Sequence, residues 1–169
     1  MKVENPGSFY GLLLLSQAGL MGVFLAYDAL VFYVFWELAL IPVYFLCSRW
    51  VGEKRIAVTF KFFIYTFVGS LMMLAGLIYL SMQNPGQSSY AWSDIVRAGS
   101  ALPPATQQWL FWLIFIAFAI KMPIFPFHTW QPDTYEQSPT PVTIILSALM
   151  VKMGLYAVLR WLLPVLPAG

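Results

Sequence analysis

Five runs of roughly 20 predominantly apolar residues, divided by short polar stretches, constrain this chain more than any other feature. A helix rising about 1.5 Å per residue needs about 20 residues to cross a hydrocarbon core about 30 Å thick. The runs therefore have the length of membrane spans. They fall at residues 9–27, 29–50, 58–82, 109–127 and 141–163. Composition agrees: 60% of residues are hydrophobic and 9% are charged, against roughly a quarter charged in soluble domains. The implied fold is all-α, a polytopic membrane bundle of about five helices forming a single unit.

Local signals mark the boundaries. Asp28 ends the first run and can N-cap the second, so the two form a tight hairpin. The polar residues Gly52, Glu53, Lys54 and Arg55 separate the second and third runs, and a stretch rich in Gly, Ser, Pro and Gln reads as a long loop to about Gln108. Pro123 and Pro126 interrupt the fourth helix near residues 121–126, at mid-membrane. Thr140 followed by Pro141 opens the fifth, which ends before Pro164. At the N-terminus Lys2 is offset by Glu4, and the apolar run that follows is long for a signal peptide, so it reads as a retained span.

Arg49, Lys54, Arg55 and Lys61 crowd the link between the second and third runs, whereas the long loop holds Arg97 against Asp94. The positive side is expected to face the cytoplasm. Six of the seven tryptophans lie in loops or near run ends, where interfacial placement is expected. A net charge of +2 with scattered basic residues argues against a nucleic-acid partner. A single cysteine, Cys47, rules out an internal disulfide or a cysteine cluster and reads as a small buried side chain.

Glu37, Lys121 and Lys152 fall inside the runs, roughly 14, 18 and 17 Å from Asp28, Trp109 and Pro141. They are expected to share one layer near the midplane. Each costs about 2.5–3.5 kcal/mol to insert, against a gain of about 0.3–0.6 for a Leu, Ile or Phe, so a functional reason is expected. One reading is a Glu37–Lys121 ion pair that fixes packing, with Lys152 on a backbone carbonyl. The other is a proton relay. Lys121 precedes Pro123, which frees the Ala119 carbonyl from its helical donor, and half-helix ends at the midplane favour cations. Tyr33 and Tyr44 lie on the Glu37 face as packing aromatics that can also reach the carboxylate. His128 suits either a proton shuttle or an interfacial hydrogen bond. Lys61 reads as snorkelling, and Asp133 and Glu136 as solvated loop charges.

The stretch YDALVFYVFWELALIPVYFL from Tyr27, the KFFIYT segment at Lys61, and AIKMPIFPFHTWQPDTYEQSPTPVTIILSALMVKMG from Ala119 resemble the antiporter-like subunits of respiratory complex I, the M type in particular. The resemblance implies that Glu37, Lys121 and Lys152 carry protons, with His128 a possible shuttle. It also implies other membrane subunits of complex I as partners in the lipid bilayer, and a bacterial inner membrane location. NADH, FMN, iron–sulfur clusters and quinone belong on partner subunits, because this chain has no cysteine cluster, glycine-rich nucleotide motif or haem-ligand pair. Members of the family carry two inverted five-helix units. This chain resembles the first and is expected to be a piece of a longer protein. A Mrp-type cation/proton antiporter subunit, a membrane hydrogenase pump subunit and a passive scaffold remain alternatives.

Overall fold

The computed structural model describes residues 5–50, 53–84, 86 and 88–169. Lys2 and Glu4 at the start and Gly52 in the polar link lie outside those residues. The ordered elements among the described residues are helices: α1 Pro6–Leu25, α2 Ala29–Arg49, α3 Arg55–Met82, α4 Trp92–Ser100, α5 Pro104–Lys121, α6 Trp130–Gln137 and α7 Thr140–Val165. Helices α1, α2, α3 and α7 are each long and apolar enough to cross a membrane. Helix α5, 18 residues opened by Pro104, supplies the remaining apolar run. Large apolar side chains such as Leu14, Leu25, Phe45, Phe60 and Leu159 are exposed on the outside of the bundle, the surface expected of a protein dissolved in lipid.

The α1–α2 hairpin turns at Asp28, whose carboxylate accepts from the amides of Leu30 at 2.9 Å and Val31 at 3.0 Å. Lipid supplies no hydrophobic drive between helices, so close backbone approach and hydrogen bonds hold the pair together. Ser16 donates to the Ala39 carbonyl at 2.9 Å. Gly19 lets α1 lie directly on the α2 backbone: a Cβ there would stand 2.5 Å from the Ala39 nitrogen and 2.7 Å from its Cα. Backbone cannot give way as a side chain can. Gly19→Ala is therefore expected to cost about 1–3 kcal/mol through helix separation. Gly11→Ala, where a Cβ meets nothing within 4 Å, is expected to be neutral or stabilising by up to about 1 kcal/mol. Thermal melting in detergent compares them.

Helix α4 forms within the stretch that reads as loop. It is amphipathic: Ile95, Ala98 and Gly99 turn inward, Asp94 pairs with Arg97, and Gly99 packs on the Val165 end of α7. Backbone bonds from Ala29 to Tyr90 (2.8 Å) and from Trp92 to Tyr27 (3.1 Å) tie this segment to the α1–α2 turn. The Arg160 guanidinium lies over Trp92, 3.9 Å from its ring centre. Trp50, Trp130 and Trp161 are buried by neighbouring helices, whereas Trp109 and Trp112 are exposed.

Past Lys121 the chain leaves helical geometry. Pro123 and Pro126 hold residues 122–129 in turns, with Phe125–Pro126 cis, before α6 begins at Trp130. Helix α7 is a single apolar helix with π-type turns at Leu146–Met150 and Val158–Leu162.

Candidate functional site

Lys121 is the last residue of α5 and is 3% exposed. Its Nζ has no hydrogen-bond partner among the described residues and lies 5.3 Å from the centre of the Trp36 ring. Glu37, the next residue on α2, is half-buried, and its Oε1 is buried and likewise unpartnered. The carboxylate acts on Lys121 electrostatically. No direct ion pair joins them among the described residues, where the pairs are Lys61–Asp133 and Arg97–Asp94. The packing-lock reading requires that pair to be closed. What is present is an amine and a carboxylate that feel each other's charge without being fastened together.

The backbone at the break differs from the expectation. The Ala119 carbonyl, freed by Pro123, accepts from the Ile124 amide at 3.0 Å. The next one, of Ile120, accepts from the Trp130 indole at 2.9 Å. These two half-helix carbonyls are therefore satisfied by the chain itself, and Lys121 bonds to neither. Tyr44 finds a partner other than the carboxylate. It shares a very short hydrogen bond with Thr66, whose hydroxyl also bonds the Phe62 carbonyl at 2.9 Å. Tyr33 is half-buried on α2, and Ser70 donates to the Phe67 carbonyl at 3.0 Å.

Lys152 stands apart from this pair. A Cβ on Gly154 would stand 3.1 Å from the Lys121 Cβ and 2.7 Å from Met122 Cγ, so α7 presents residue 154 to the end of α5. Two residues earlier is about 3 Å along the axis and about 200° around it. Lys152 thus keeps the expected depth but points away: it is exposed, and Nζ donates to the Ser147 carbonyl at 2.9 Å, inside the first π turn. The burial expected for it is not found within this chain. His128 lies in the break, half-buried, with Nδ1 buried and unpartnered and its ring beside Phe125. Glu37 and Lys121 are brought together; Lys152 is not.

Residues 26–169 match the family described as the transmembrane NADH:quinone oxidoreductase/Mrp antiporter domain. The chain belongs to that family. It is 39% identical over 170 positions to F(420)H(2) dehydrogenase subunit M of Methanosarcina mazei, covering 98% of this chain and 34% of that protein. With NADH-quinone oxidoreductase subunit M of Rickettsia bellii it shares 44% identity over 154 residues, 91% of this chain and 31% of that one. A chain of respiratory complex I from Thermus thermophilus with bound NADH superposes with a TM-score of 0.86 at 36% identity, over 95% of this chain and 34% of that chain. A chain of the Mrp complex from Dietzia sp. DQ12-45-1b gives 0.74 at 26% identity, over 88% and 28%. The chain spans about a third of the length of the relatives it matches.

Within this antiporter-like unit, sequence reasoning underrates two parts of the break. Lys61 is not merely snorkelling: its ammonium bonds Asp133 and the Thr129 carbonyl, each at 2.8 Å. Trp130, read as interfacial, stacks on Phe62 at 4.8 Å and caps α5. The available signal was the 61, 62, 65 spacing, which puts Lys61, Phe62 and Tyr65 on neighbouring faces of one helix.

Proposed function

We propose that this chain is the proton-translocating part of a membrane subunit of an NADH:quinone oxidoreductase, in which Glu37 and Lys121 form the charge-coupled step. The observation that carries this reading is the buried, unpartnered Lys121 amine within the field of Glu37 and not locked to it. A shift of the carboxylate toward the amine favours proton uptake; withdrawal favours release. Lys152, at the same depth on the outer face of α7, is the onward acceptor. An ammonium on that face is costly against lipid, so the remainder of a longer chain is expected to cover it. His128 at the break is the shuttle to the aqueous side.

This subunit carries no electrons in the reading. NADH, FMN, iron–sulfur clusters and quinone sit on partner subunits, and redox energy arrives through the membrane subunits as a change in the charge balance around Glu37. The complex lies in the bacterial inner membrane, with the Lys54–Lys61 end toward the cytoplasm. A Mrp-type exchanger is the second reading, favoured by the 0.74 TM-score with the Mrp complex. The complex containing Glu37→Gln, sealed into vesicles with a pH-sensitive dye, separates these. Proton translocation driven by NADH and quinone is expected to fall by roughly 10² with assembly intact. Unchanged translocation overturns the assignment of Glu37; sodium-driven exchange without an electron donor selects the exchanger.

A further inference from the structure

We propose that Lys61 is a positioning residue: α3 clamps the helix break through it, and the clamp sets where Lys121 stands. The inference rests on the proton-transfer reading for its consequence and on the geometry of the break for its substance. Helix α6 has eight residues, fewer than the roughly 12 at which an isolated helix becomes even marginal. Its N-cap, Thr129, makes no side-chain cap bond. The hydroxyl is shared with Tyr65 at 2.8 Å. The start of α6 is therefore held from outside, by one patch of α3.

Three side chains of α3 converge there. Lys61 Nζ donates to the Thr129 carbonyl and to Asp133 Oδ2, Tyr65 reaches the Thr129 hydroxyl, and Phe62 stacks on Trp130. Trp130 carries the constraint onward, because its indole bonds the carbonyl of Ile120, the neighbour of Lys121. The Lys61–Asp133 pair by itself is weak: both side chains are more than a third exposed, and such pairs contribute little. The Thr129 carbonyl bond is what gives the ammonium its hold, since a charged donor on a backbone acceptor is stronger and directional. A cation with hydrogen-bonding reach is required at 61, so arginine can substitute and alanine cannot.

Hydrogen exchange by mass spectrometry on the assembled complex, paired with proton translocation per electron, tests the clamp. Lys61→Ala is expected to speed exchange over residues 124–137 by roughly fivefold or more, with α1 and α2 unchanged. Translocation per electron is expected to fall at least about twofold, with both quantities restored by Lys61→Arg. Asp133→Asn is expected to give a smaller acceleration, because Lys61 keeps the Thr129 carbonyl. Unchanged exchange in Lys61→Ala overturns the clamp. Equal acceleration in Lys61→Arg and Lys61→Ala also overturns it, by showing that shape and not charge matters. Faster exchange with undiminished translocation overturns the positioning role. The exchange result is independent of whether Glu37→Gln abolishes pumping, so failure of the clamp and failure of the functional reading are told apart.

Discussion

Lys121→Met is expected to abolish proton translocation and, at the same time, to make the subunit more stable. The two effects have one cause. Lys121 is 3% exposed with no hydrogen-bond partner, and a charge at such depth costs about 2.5–3.5 kcal/mol by insertion scales. Methionine keeps the unbranched shape, and its sulfur can sit by the Trp36 ring for about 0.3–1.5 kcal/mol. The lost ammonium–ring attraction, about 0.5–2 kcal/mol, subtracts from the gain. The net is about 1–4.5 kcal/mol in favour of the variant, at roughly 2–4 °C of melting temperature per kcal/mol. Cys47 is buried, so its alkylation on heating, followed on its own peptide by mass spectrometry, reports the melt. A residue that served to lock helices would show the opposite sign. Lowered melting with translocation intact would return Lys121 to a packing role.

The depth of the charged layer can be counted along the chain, because rise per residue is fixed; its azimuth cannot. Lys152 lies about 3 Å along the axis from Gly154 but about 200° around it, and it is residue 154 that faces the Lys121 Cβ. That is a packing fact with no local signature. The interruption after Lys121 is legible from Pro123, since proline removes a donor wherever it stands. The fate of the freed carbonyls is not: the cap on Ile120 comes from an indole ten residues later, and nothing in the local sequence requires it. Helix α4 escapes a search for 20-residue runs because it has nine residues. It gains its stability from the α1–α2 turn and the end of α7, a tertiary contribution that outweighs weak local propensity.

Trp130 gives a way to measure how much of the site depends on that distant cap. The ring is 2% exposed and stacked on Phe62, with the indole N–H 2.9 Å from the Ile120 carbonyl. Trp130→Ala removes both and is expected to cost about 3–5 kcal/mol. Trp130→Phe keeps most of the stack and deletes the donor, leaving the buried carbonyl short of a partner at about 1–3 kcal/mol. The functional effect is expected to run in a different proportion. With the indole gone, the Lys121 amine, one residue on, is a donor without a partner among the described residues. If it turns onto the Ile120 carbonyl, it becomes fixed to backbone and loses its free response to Glu37. Trp130→Phe should therefore cut proton translocation several-fold in a complex that still assembles and melts only a few degrees low. Melting and vesicle acidification on the same preparations check this. Wild-type melting in Trp130→Phe would mean that the indole bond contributes nothing; wild-type translocation despite lowered melting would mean that the cap supports the fold and leaves Lys121 untouched.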